Sequence, residues 1–190
     1  MLDRENQIIE NAVRGEASAF GLLYDYYHPK IYRFVLIKVG HREEAEDLTH
    51  QVFLNAWQNI GRYRDVGHPF SSWLYQIARN QITDFYRTTR KDVSLDAVQE
   101  NYFVAPVRMD VNLDRSIEMR RVQEVLATLK PDYQDVIIMR FVEELSIKEV
   151  AAALGKSEGA VKLIQHRALG ELKKKLGSQS YGITRTAQTI

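Results

Sequence analysis

Basic side chains are concentrated near the end of the chain, where their charge suits contact with DNA phosphates. Lys156, Lys162 and Arg167 follow one another at steps of five or six residues, and positions 173–175 add three lysines. A protein that neutralises phosphates with such side chains releases counterions, which supplies much of its affinity for nucleic acid. Residues 145–176 are therefore predicted to contact DNA.

Local signals in this segment predict two short helices joined by a tight turn. Ser146 and Glu149 form a capping-box pattern, Gly155 suits the left-handed end of the first helix, and Ser157 can cap the second. Ala151 is small where the helices would cross. This layout is typical of a helix-turn-helix, whose second helix enters the major groove, and an ordinary helical hairpin is the alternative. The apolar positions of the second helix are Val161, Ile164, Ala168, Leu172 and Leu176.

A second segment, 62–87, interleaves aromatic and basic residues in a pattern that suits single-stranded nucleic acid. Bases stack on aromatic rings with about 1–3 kcal/mol each, while cations follow the backbone. The alternative is a hydrophobic core, which we expect for Leu74, Ile77 and Phe85, whereas Trp73 fits either role. The rings are Tyr63, Phe70, Trp73, Tyr75, Phe85 and Tyr86 with the imidazole of His68, and the cations are Arg62, Arg64, Arg79 and Arg87.

Charge is distributed unevenly along the chain. The net charge is +1, but residues 114–190 hold thirteen basic against ten acidic residues, whereas residues 1–87 hold ten against eleven. A near-neutral first half argues against simple coating of a polyanion and favours a protein partner there. With no cysteine, no apolar signal core and no run of membrane-spanning length, we expect a soluble cytoplasmic protein without membrane insertion.

Catalytic and cofactor-binding motifs are missing from the sequence. It contains no His-Glu-x-x-His, no Walker A loop, no Gly-rich dinucleotide turn and no Gly-x-Ser-x-Gly. Asp47 and His50 are the only helical pair at ligand spacing, and two ligands without a third make a weak metal site. We therefore expect no enzymatic activity, no cofactor and no metal site. The five histidines are His28, His41, His50, His68 and His166.

Helical periodicity dominates the chain and predicts an all-α protein. The first helix is expected at 7–14, before Gly15, and the second begins with Ser18 as its N-cap. We expect the His28-Pro29 pair to interrupt that second helix, because the residue before a proline avoids helical geometry. The helical pattern then resumes and ends at Gly40.

The remaining elements form two groups separated by a region without periodicity. A third helix is expected at 42–60, and Ser71 or Ser72 should open a fourth. Periodicity fails over 88–112, which predicts a linker, and returns at 114–129 and 132–142. The expected plan is two small helical domains joined by a flexible linker. The predicted boundaries are 1–87 for the first domain, 88–112 for the linker, 113–176 for the second domain and 177–190 for a polar tail.

Four segments of the chain carry a family resemblance. They are AFGLLYDYYHPKIYRFV, AEDLTHQVFLNAWQNI, FSSWLYQIARNQITDFYR and the stretch 114–176. In this order they resemble the start of region 2, the core-polymerase-binding helix, the segment that melts and recognises the −10 element, and region 4 of the sigma-70 family, in its small extracytoplasmic-function group. The resemblance implies a transcription initiation factor that binds core RNA polymerase and leaves the catalytic chemistry to it.

The resemblance implies two promoter contacts, one with duplex and one with single-stranded DNA. Region 4 would recognise the −35 element, although Leu163-Ile164-Gln165 departs from the family's common Ser-Arg-Leu step. Either the helix is slightly rotated or Gln165 contacts a base. The expected duplex-contacting residues are Ser157, Glu158, Gly159, Lys162, Gln165, His166 and Arg167. Region 2 would hold the −10 element as a single strand, with a flipped base in a pocket. The expected strand-contacting residues are Arg64, His68, Phe70, Ser72, Trp73, Asn80 and Arg87.

A polar face on the helix 42–60 completes the expected set of contacts. The resemblance assigns this face to the clamp helices of the largest polymerase subunit, whereas a solvated face is the alternative. The chain has His50-Gln51 where the family commonly has Gln-Glu, so one acidic contact is missing. The expected polymerase-contacting residues are Asp47, His50, Gln51, Asn55 and Gln58. The resemblance also implies an anti-sigma protein as a regulatory partner.

Two other functional classes compete with this interpretation. One is a self-sufficient helix-turn-helix regulator whose N-terminal domain senses a ligand or forms a dimer. The other is a protein-interaction adaptor whose basic helices are incidental. The mixture of rings and arginines at 62–87 favours a strand-binding domain over a sensor.

Overall fold

The structure is a computed structural model that describes residues 4–65, 67–92 and 121–183, and every regular element in these ranges is helical. This confirms the all-α prediction and its two groups of helices. In chain order the helices are α1 (Glu5–Val13), α2 (Ala17–Val39), α3 (Arg42–Asn59), α4 (Phe70–Asp92), α5 (121–127), α6 (Pro131–Ile137), α7 (Ile147–Leu154) and α8 (Glu158–Ile183).

Helices α1–α4 form the first helical unit, residues 4–92, around an apolar core. The predicted stripe of α3, which includes Leu48, Val52 and Ala56, is buried against α2 and α4. Phe34 of α2 meets the ring of Tyr75 edge-on at 5.3 Å between centroids. Aromatic pairs in this orientation add about 0.5–1.5 kcal/mol beyond the area that they bury. The core therefore fixes α4 firmly against α2 and α3.

The predicted break of the second helix at His28-Pro29 is wrong. Helix α2 continues through Pro29, which lies on its exposed side. Proline removes one backbone donor and crowds the carbonyl four residues earlier, on exposed Asp25, but on the solvent side water can bond to that carbonyl. Burial of Tyr27 and Ile31 on the opposite face keeps the two halves in one helix.

Two predicted N-caps also differ from the structure. Helix α2 begins after Glu16, so Ser18 lies inside its first turn instead of capping it. Ser71 and Ser72 likewise lie inside the first turn of α4, which begins at Phe70. The same helix extends to Asp92 and so includes the first five residues of the predicted linker. Residues 93–120, with the rest of that linker and the start of the helix predicted at 114–129, lie outside the described residues.

Helices α5–α8 form the second helical unit, residues 121–183, and contain the predicted helix-turn-helix. The Ser146 and Glu149 side chains bond reciprocally to each other's backbone N–H, which confirms the capping box. Gly155 ends α7 at φ 61°, a left-handed conformation that glycine adopts without strain. Ser157 Oγ accepts from the Ala160 N–H at 3.2 Å and caps α8.

Other details of the second helical unit depart from the sequence expectation. The segment predicted as one helix over 132–142 consists of α6 and a π-helical turn, Ile138–Val142. Helix α8 continues to Ile183, seven residues into the predicted polar tail. Val161 and Ala168 are buried as predicted, whereas Ile164, Leu172 and Leu176 are half-buried.

An interdomain ion cluster joins the two helical units. Its cations are Arg33, Lys38 and Arg79 of the first unit, and its anions are Asp132, Asp135 and Glu143 of the second. Asp135 lies 2.9 Å from Lys38 Nζ and 2.7 Å from Arg79 Nε, while Glu143 accepts two bonds from Arg33 at 2.7 and 2.9 Å. The carboxylates of Asp135 and Glu143 are almost completely buried, so the units meet through paired charges.

Within the described ranges, no helix has the length and apolar character that crossing a membrane requires.

Candidate nucleic-acid interface

The N-terminal turns of α8 present the predicted duplex-contacting residues to solvent. The Ser157 cap fixes the direction of the helix, and its exposed start carries Glu158 and Gly159. Lys162, His166 and Arg167 are exposed further along α8. An exposed helix start with cations behind it matches the way a recognition helix enters the major groove. Six of the seven predicted residues are thus exposed, although Arg167 lies on the opposite side of α8 from Glu158.

Gln165, the seventh, is held by a neighbouring side chain. Arg140 Nε donates to Gln165 Oε1 at 3.1 Å, and another nitrogen of Arg140 donates to the Leu145 carbonyl. Gln165 is half-buried, and its carbonyl oxygen is engaged inside the second helical unit. The side chain therefore has a structural role in this arrangement, and a base contact would depend on its amide nitrogen.

A cavity of about 170 Å³ lies between the loop 62–69 and the start of α4. Tyr63 and Trp73 form aromatic walls, with their ring centroids 5.2 Å apart, and Phe70 packs behind both rings at 5.3 and 5.4 Å. Trp73 is half-buried, so it supports the core on one side and faces the cavity on the other. The remaining polar lining residues of this strand cavity are Arg62, Arg64, His68, Ser72 and Gln76.

The loop beside the strand cavity is shaped by short-range bonds. Asp65 accepts a 2.8 Å bond from the Gly67 N–H, and Gly67 adopts φ 81°. Arg64 Nη1 donates to the carbonyls of Gly61 and Tyr63 at 3.1 and 2.9 Å. Burial raises the pKa of the Tyr63 hydroxyl to about 12, so this wall of the cavity is neutral at physiological pH.

The other predicted strand-contacting residues divide into exposed and buried members. Asn80 and Arg87 are exposed further along α4, and Arg87 forms a 3.1 Å ion pair with Asp84. Phe70 is only 2% exposed in this structure, and its ring supports the cavity from within the core. Ser72 is buried as well, and its hydroxyl donates to the Glu149 carbonyl at 3.0 Å.

Helix α3 presents the predicted polymerase-contacting residues on one side. Asp47, His50, Gln51 and Gln58 are exposed, while Asn55 is half-buried and accepts a 3.1 Å bond from Asn59 Nδ2 through its side-chain oxygen. The exposed ring of Trp57 lies at the edge of the same surface, 4.9 Å from the ring of Phe20. The face is therefore polar with an apolar border, and it points away from the buried stripe of α3.

The sequence gives no sign of how α7 approaches the strand cavity. Ala152 lines the cavity, and Glu149 bonds to both Ser71 and Ser72 of α4. These contacts join residues more than seventy positions apart. Local sequence signals define α4 and α7 separately, so they do not predict that the two helices pack together. The interdomain ion cluster was missed for the same reason. Arg79, which the sequence analysis placed among the cations of 62–87, is instead paired with Asp132 and Asp135.

The described surfaces combine aromatic, basic and polar side chains. In residues 4–65, 67–92 and 121–183, no group of three or more His, Cys, Asp or Glu side chains is placed to hold a metal ion. What the structure brings together is a basic helix start, an aromatic cavity with arginines, and a polar helix face. Each of these suits a macromolecular partner.

Comparison with known families assigns both helical units. Sigma-70 region 2 matches residues 23–92, and Sigma-70, region 4 matches residues 125–174. The first match contains α3 and α4 with the strand cavity, and the second contains the helix-turn-helix. The two matched segments occur in the order that the sequence resemblance predicted.

Individual relatives agree with this assignment. The ECF RNA polymerase sigma factor BldN of Streptomyces coelicolor is 35% identical over 175 residues, which cover 91% of this chain and 66% of BldN. The ECF RNA polymerase sigma factor SigD of Mycobacterium tuberculosis is 31% identical over 182 residues, which cover 92% of this chain and 84% of SigD. The sigma factor RpoE from Bartonella quintana, solved with the anti-sigma factor NepR, has the same fold, with a TM-score of 0.68 at 23% identity over 83% of this chain and 96% of RpoE. The chain therefore belongs to the extracytoplasmic-function group of the sigma-70 family, and it is a transcription initiation factor that directs RNA polymerase rather than an enzyme.

Proposed function

We propose that this sigma factor divides promoter recognition between its two helical units. The start of α8 recognises the −35 element as duplex, and the strand cavity with α4 holds the −10 element as a single strand. The polar face of α3 binds core RNA polymerase in the cytoplasm. This division also sets the domain boundaries, with 1–87 as the polymerase- and −10-binding domain and 113–176 as the −35-binding domain.

The observation that carries the proposal is the strand cavity lined by Tyr63 and Trp73. Two aromatic walls with arginines and a histidine around them offer a surface on which a planar base can stack. Stacking stabilises each bound base by about 1–3 kcal/mol, and an unstacked strand offers bases that duplex DNA does not. Such a cavity favours the open strand over the duplex and so assists opening.

A regulatory partner is part of the proposal. The RpoE structure of the same fold contains an anti-sigma factor, which motivates a partner of that kind here. The exposed polar face of α3 is the surface that such a partner would cover, because covering it prevents assembly with the polymerase. Binding of the two proteins would then be mutually exclusive.

The proposal is tested by co-migration of the purified chain with bacterial core RNA polymerase on a sizing column. We expect a stoichiometric complex that starts transcription from promoter fragments, whereas the chain alone should not grip duplex DNA tightly. If the chain binds duplex DNA by itself and forms no complex with the polymerase, it acts as a self-sufficient regulator and the proposal is wrong.

A further inference from the structure

Leu163 exposes a large apolar side chain on the part of α8 that we propose to contact duplex DNA. It is 48% exposed, and it lies one residue after Lys162 and three before His166, which are both exposed. An α-helix has about 3.6 residues per turn, so Leu163 lies on the opposite side of α8 from the buried residues Val161 and Ala168. The leucine therefore points away from the core of the second helical unit.

The residues one turn before Leu163 are too small to cover it. Side chains of an α-helix point back towards its N-terminus and lie over the residues three and four positions earlier. For Leu163 these residues are Ala160 and Gly159, of which one has a single methyl group and the other has no side chain. The leucine therefore projects from the first two turns of α8, which is the part of the helix proposed to enter the groove.

The structure also separates the three residues at which α8 departs from the common Ser-Arg-Leu step. Gln165 is held by Arg140, and Ile164 is half-buried and packs against the core. Leu163 is the exposed member of the three. The departure therefore does not rotate the buried face of α8 away from the core. It changes the chemistry of the exposed face, because an apolar side chain replaces a hydroxyl there.

A leucine in the major groove has one favourable partner among the base edges. Each base pair displays its own pattern of hydrogen-bond donors and acceptors in this groove, and thymine adds an apolar group, its C5 methyl. A leucine against donors and acceptors removes their water without replacing the lost hydrogen bonds, which costs free energy. A leucine against a thymine methyl instead buries apolar surface on both partners. Leu163 is therefore suited to favour thymine at the base pair that it meets.

We propose that Leu163 determines part of the sequence specificity of the duplex interface by contacting the methyl group of a thymine in the −35 element. The inference rests on the proposed −35-binding role of α8. Lys162 and His166 supply polar contacts beside the leucine, whereas the leucine distinguishes thymine from the other bases. Removal of the methyl contact weakens binding about fourfold, the effect of withdrawing roughly one methylene group of buried apolar surface.

The test removes the methyl group from the DNA and the leucine from the protein. The holoenzyme of the full chain with core RNA polymerase selects bound members from a pool of random-sequence promoter-length duplexes. The dissociation constant for a selected duplex is then measured with thymine or uracil at each single −35 position, since uracil lacks the methyl group and keeps the pairing. Leu163→Ser and Leu163→Met are compared with the parent. Leu169→Ser is the matched control, because Leu169 is an exposed leucine six residues further along α8 and about a third of a turn around it.

The expected result is a methyl effect that depends on Leu163. The parent should bind about fourfold more weakly when uracil replaces thymine at one −35 position. Leu163→Met should keep this effect because its side chain stays apolar, Leu163→Ser should lose it, and Leu169→Ser should match the parent. Equal binding of thymine and uracil by the parent at every −35 position overturns the inference. A methyl effect that persists in Leu163→Ser overturns it as well.

Failure of the proposed function would give a different result. If the parent forms no holoenzyme, or if its holoenzyme selects no duplex sequence, the proposed function is wrong and this inference falls with it. Co-migration of each variant with core polymerase is measured in parallel. Loss of assembly in Leu163→Ser, with assembly retained in Leu169→Ser, would show that the leucine contacts the polymerase instead of thymine.

Discussion

Trp73 combines two roles that sequence patterns treat as alternatives. One side of the indole packs against Tyr63 and Phe70, and the other faces the strand cavity. A ring held in this way loses little conformational entropy when a base stacks on it. Sequence periodicity could not decide between core and surface, because a residue at the rim of a core satisfies both patterns.

Trp73→Ala is expected to impair the opening of duplex promoters while sparing templates already mismatched at the −10 element. Removal of the ring costs about 1–3 kcal/mol of stacking, which is on the order of tenfold to hundredfold in the population of open complexes. The measurement compares run-off transcription by the holoenzyme on the two templates. Thr83→Ala, at an exposed position of α4, is the control. Equal loss on both templates would show that Trp73 serves only the core.

The position of a single residue was predicted correctly where its contacts are close in sequence, and less well where they are distant. Ser157 was predicted as a cap because its partner, the Ala160 N–H, is three residues away. Gln165 could not be assigned, since its bond to Arg140 depends on how α8 packs on the π-helical turn. Phe70 was expected in the loop that forms the pocket, but it is the first residue of α4 and its ring is buried in the core.

At the scale of the elements, caps were predicted well in α7 and poorly in α2. The capping box of α7 uses two residues with a spacing that few other structures satisfy. Ser18 lacks such a partner, and α2 begins one residue before it, at Ala17, without a side-chain cap. The helix break predicted at Pro29 was wrong for a similar reason, because tertiary packing of α2 outweighed the local preference of proline.

Ser146→Ala is expected to lower the free energy of unfolding by about 1 kcal/mol, since it removes the side chain that accepts from the Glu149 N–H. Urea denaturation followed by circular dichroism measures the change. Ser18→Ala is the matched control and should stay within about 0.5 kcal/mol of the parent, because that hydroxyl caps no helix. A similar loss in both variants would contradict the assignment of the caps.

The polar face of α3 makes its own prediction. Asp47→Ala combined with Gln51→Ala should weaken assembly with core polymerase by about tenfold or more, because two exposed polar contacts are lost together. The dissociation constant of the holoenzyme measures the effect. Arg42→Ala with Glu46→Ala removes an exposed ion pair from the same helix and serves as the control. If the dissociation constant of the first variant is unchanged, this face does not contact the polymerase and is only a solvated surface.

At the scale of the whole molecule, both helical units were predicted and their mutual arrangement was not. Helical periodicity reports which face of a helix is buried, but it does not name the element that covers it. The cations Arg33, Lys38 and Arg79 each fit an exposed position, and only packing against Asp135 and Glu143 shows their role. Helices α4 and α8 extend to Asp92 and Ile183, into the predicted linker and tail, because a helix can continue past its apolar stripe.

Global stability should fall at alkaline pH because several tyrosines are buried. Burial is the largest cause that raises the pKa of Tyr27, Tyr63 and Tyr75, followed for Tyr75 by the nearby charge of Glu143. Tyrosines of the unfolded chain ionise near pH 10. Above that pH the unfolded state loses protons that the folded state keeps, so the contribution of these tyrosines to the free energy of unfolding is constant below pH 10 and declines above it.

The check is urea denaturation at pH 9 and pH 11. Tyr75→Phe removes one of the hydroxyls whose pKa is raised. Its free energy of unfolding should therefore fall less between pH 9 and pH 11 than that of the parent chain. Tyr24→Phe, which removes a hydroxyl from the exposed side of α2, is the matched control. An identical decline in Tyr75→Phe and the parent would show that Tyr75 ionises in the folded state as it does in the unfolded chain.

Because α8 is long, the lysines near its C-terminal end lie far from the helix start that would contact DNA. A helix rises about 1.5 Å per residue, so Lys173 and Lys174 lie about 24 Å beyond the start of α8 that would enter the groove. The Debye length is about 8 Å at physiological ionic strength and about 30 Å at 0.01 M salt. These lysines would therefore add little to the equilibrium affinity for the −35 duplex in the cell, yet at low salt they would accelerate its diffusional capture. The salt dependence of the affinity would then come from cations near the start of α8, such as Lys162 and Arg167, whereas Lys173 and Lys174 would mainly raise the rate of encounter at low salt.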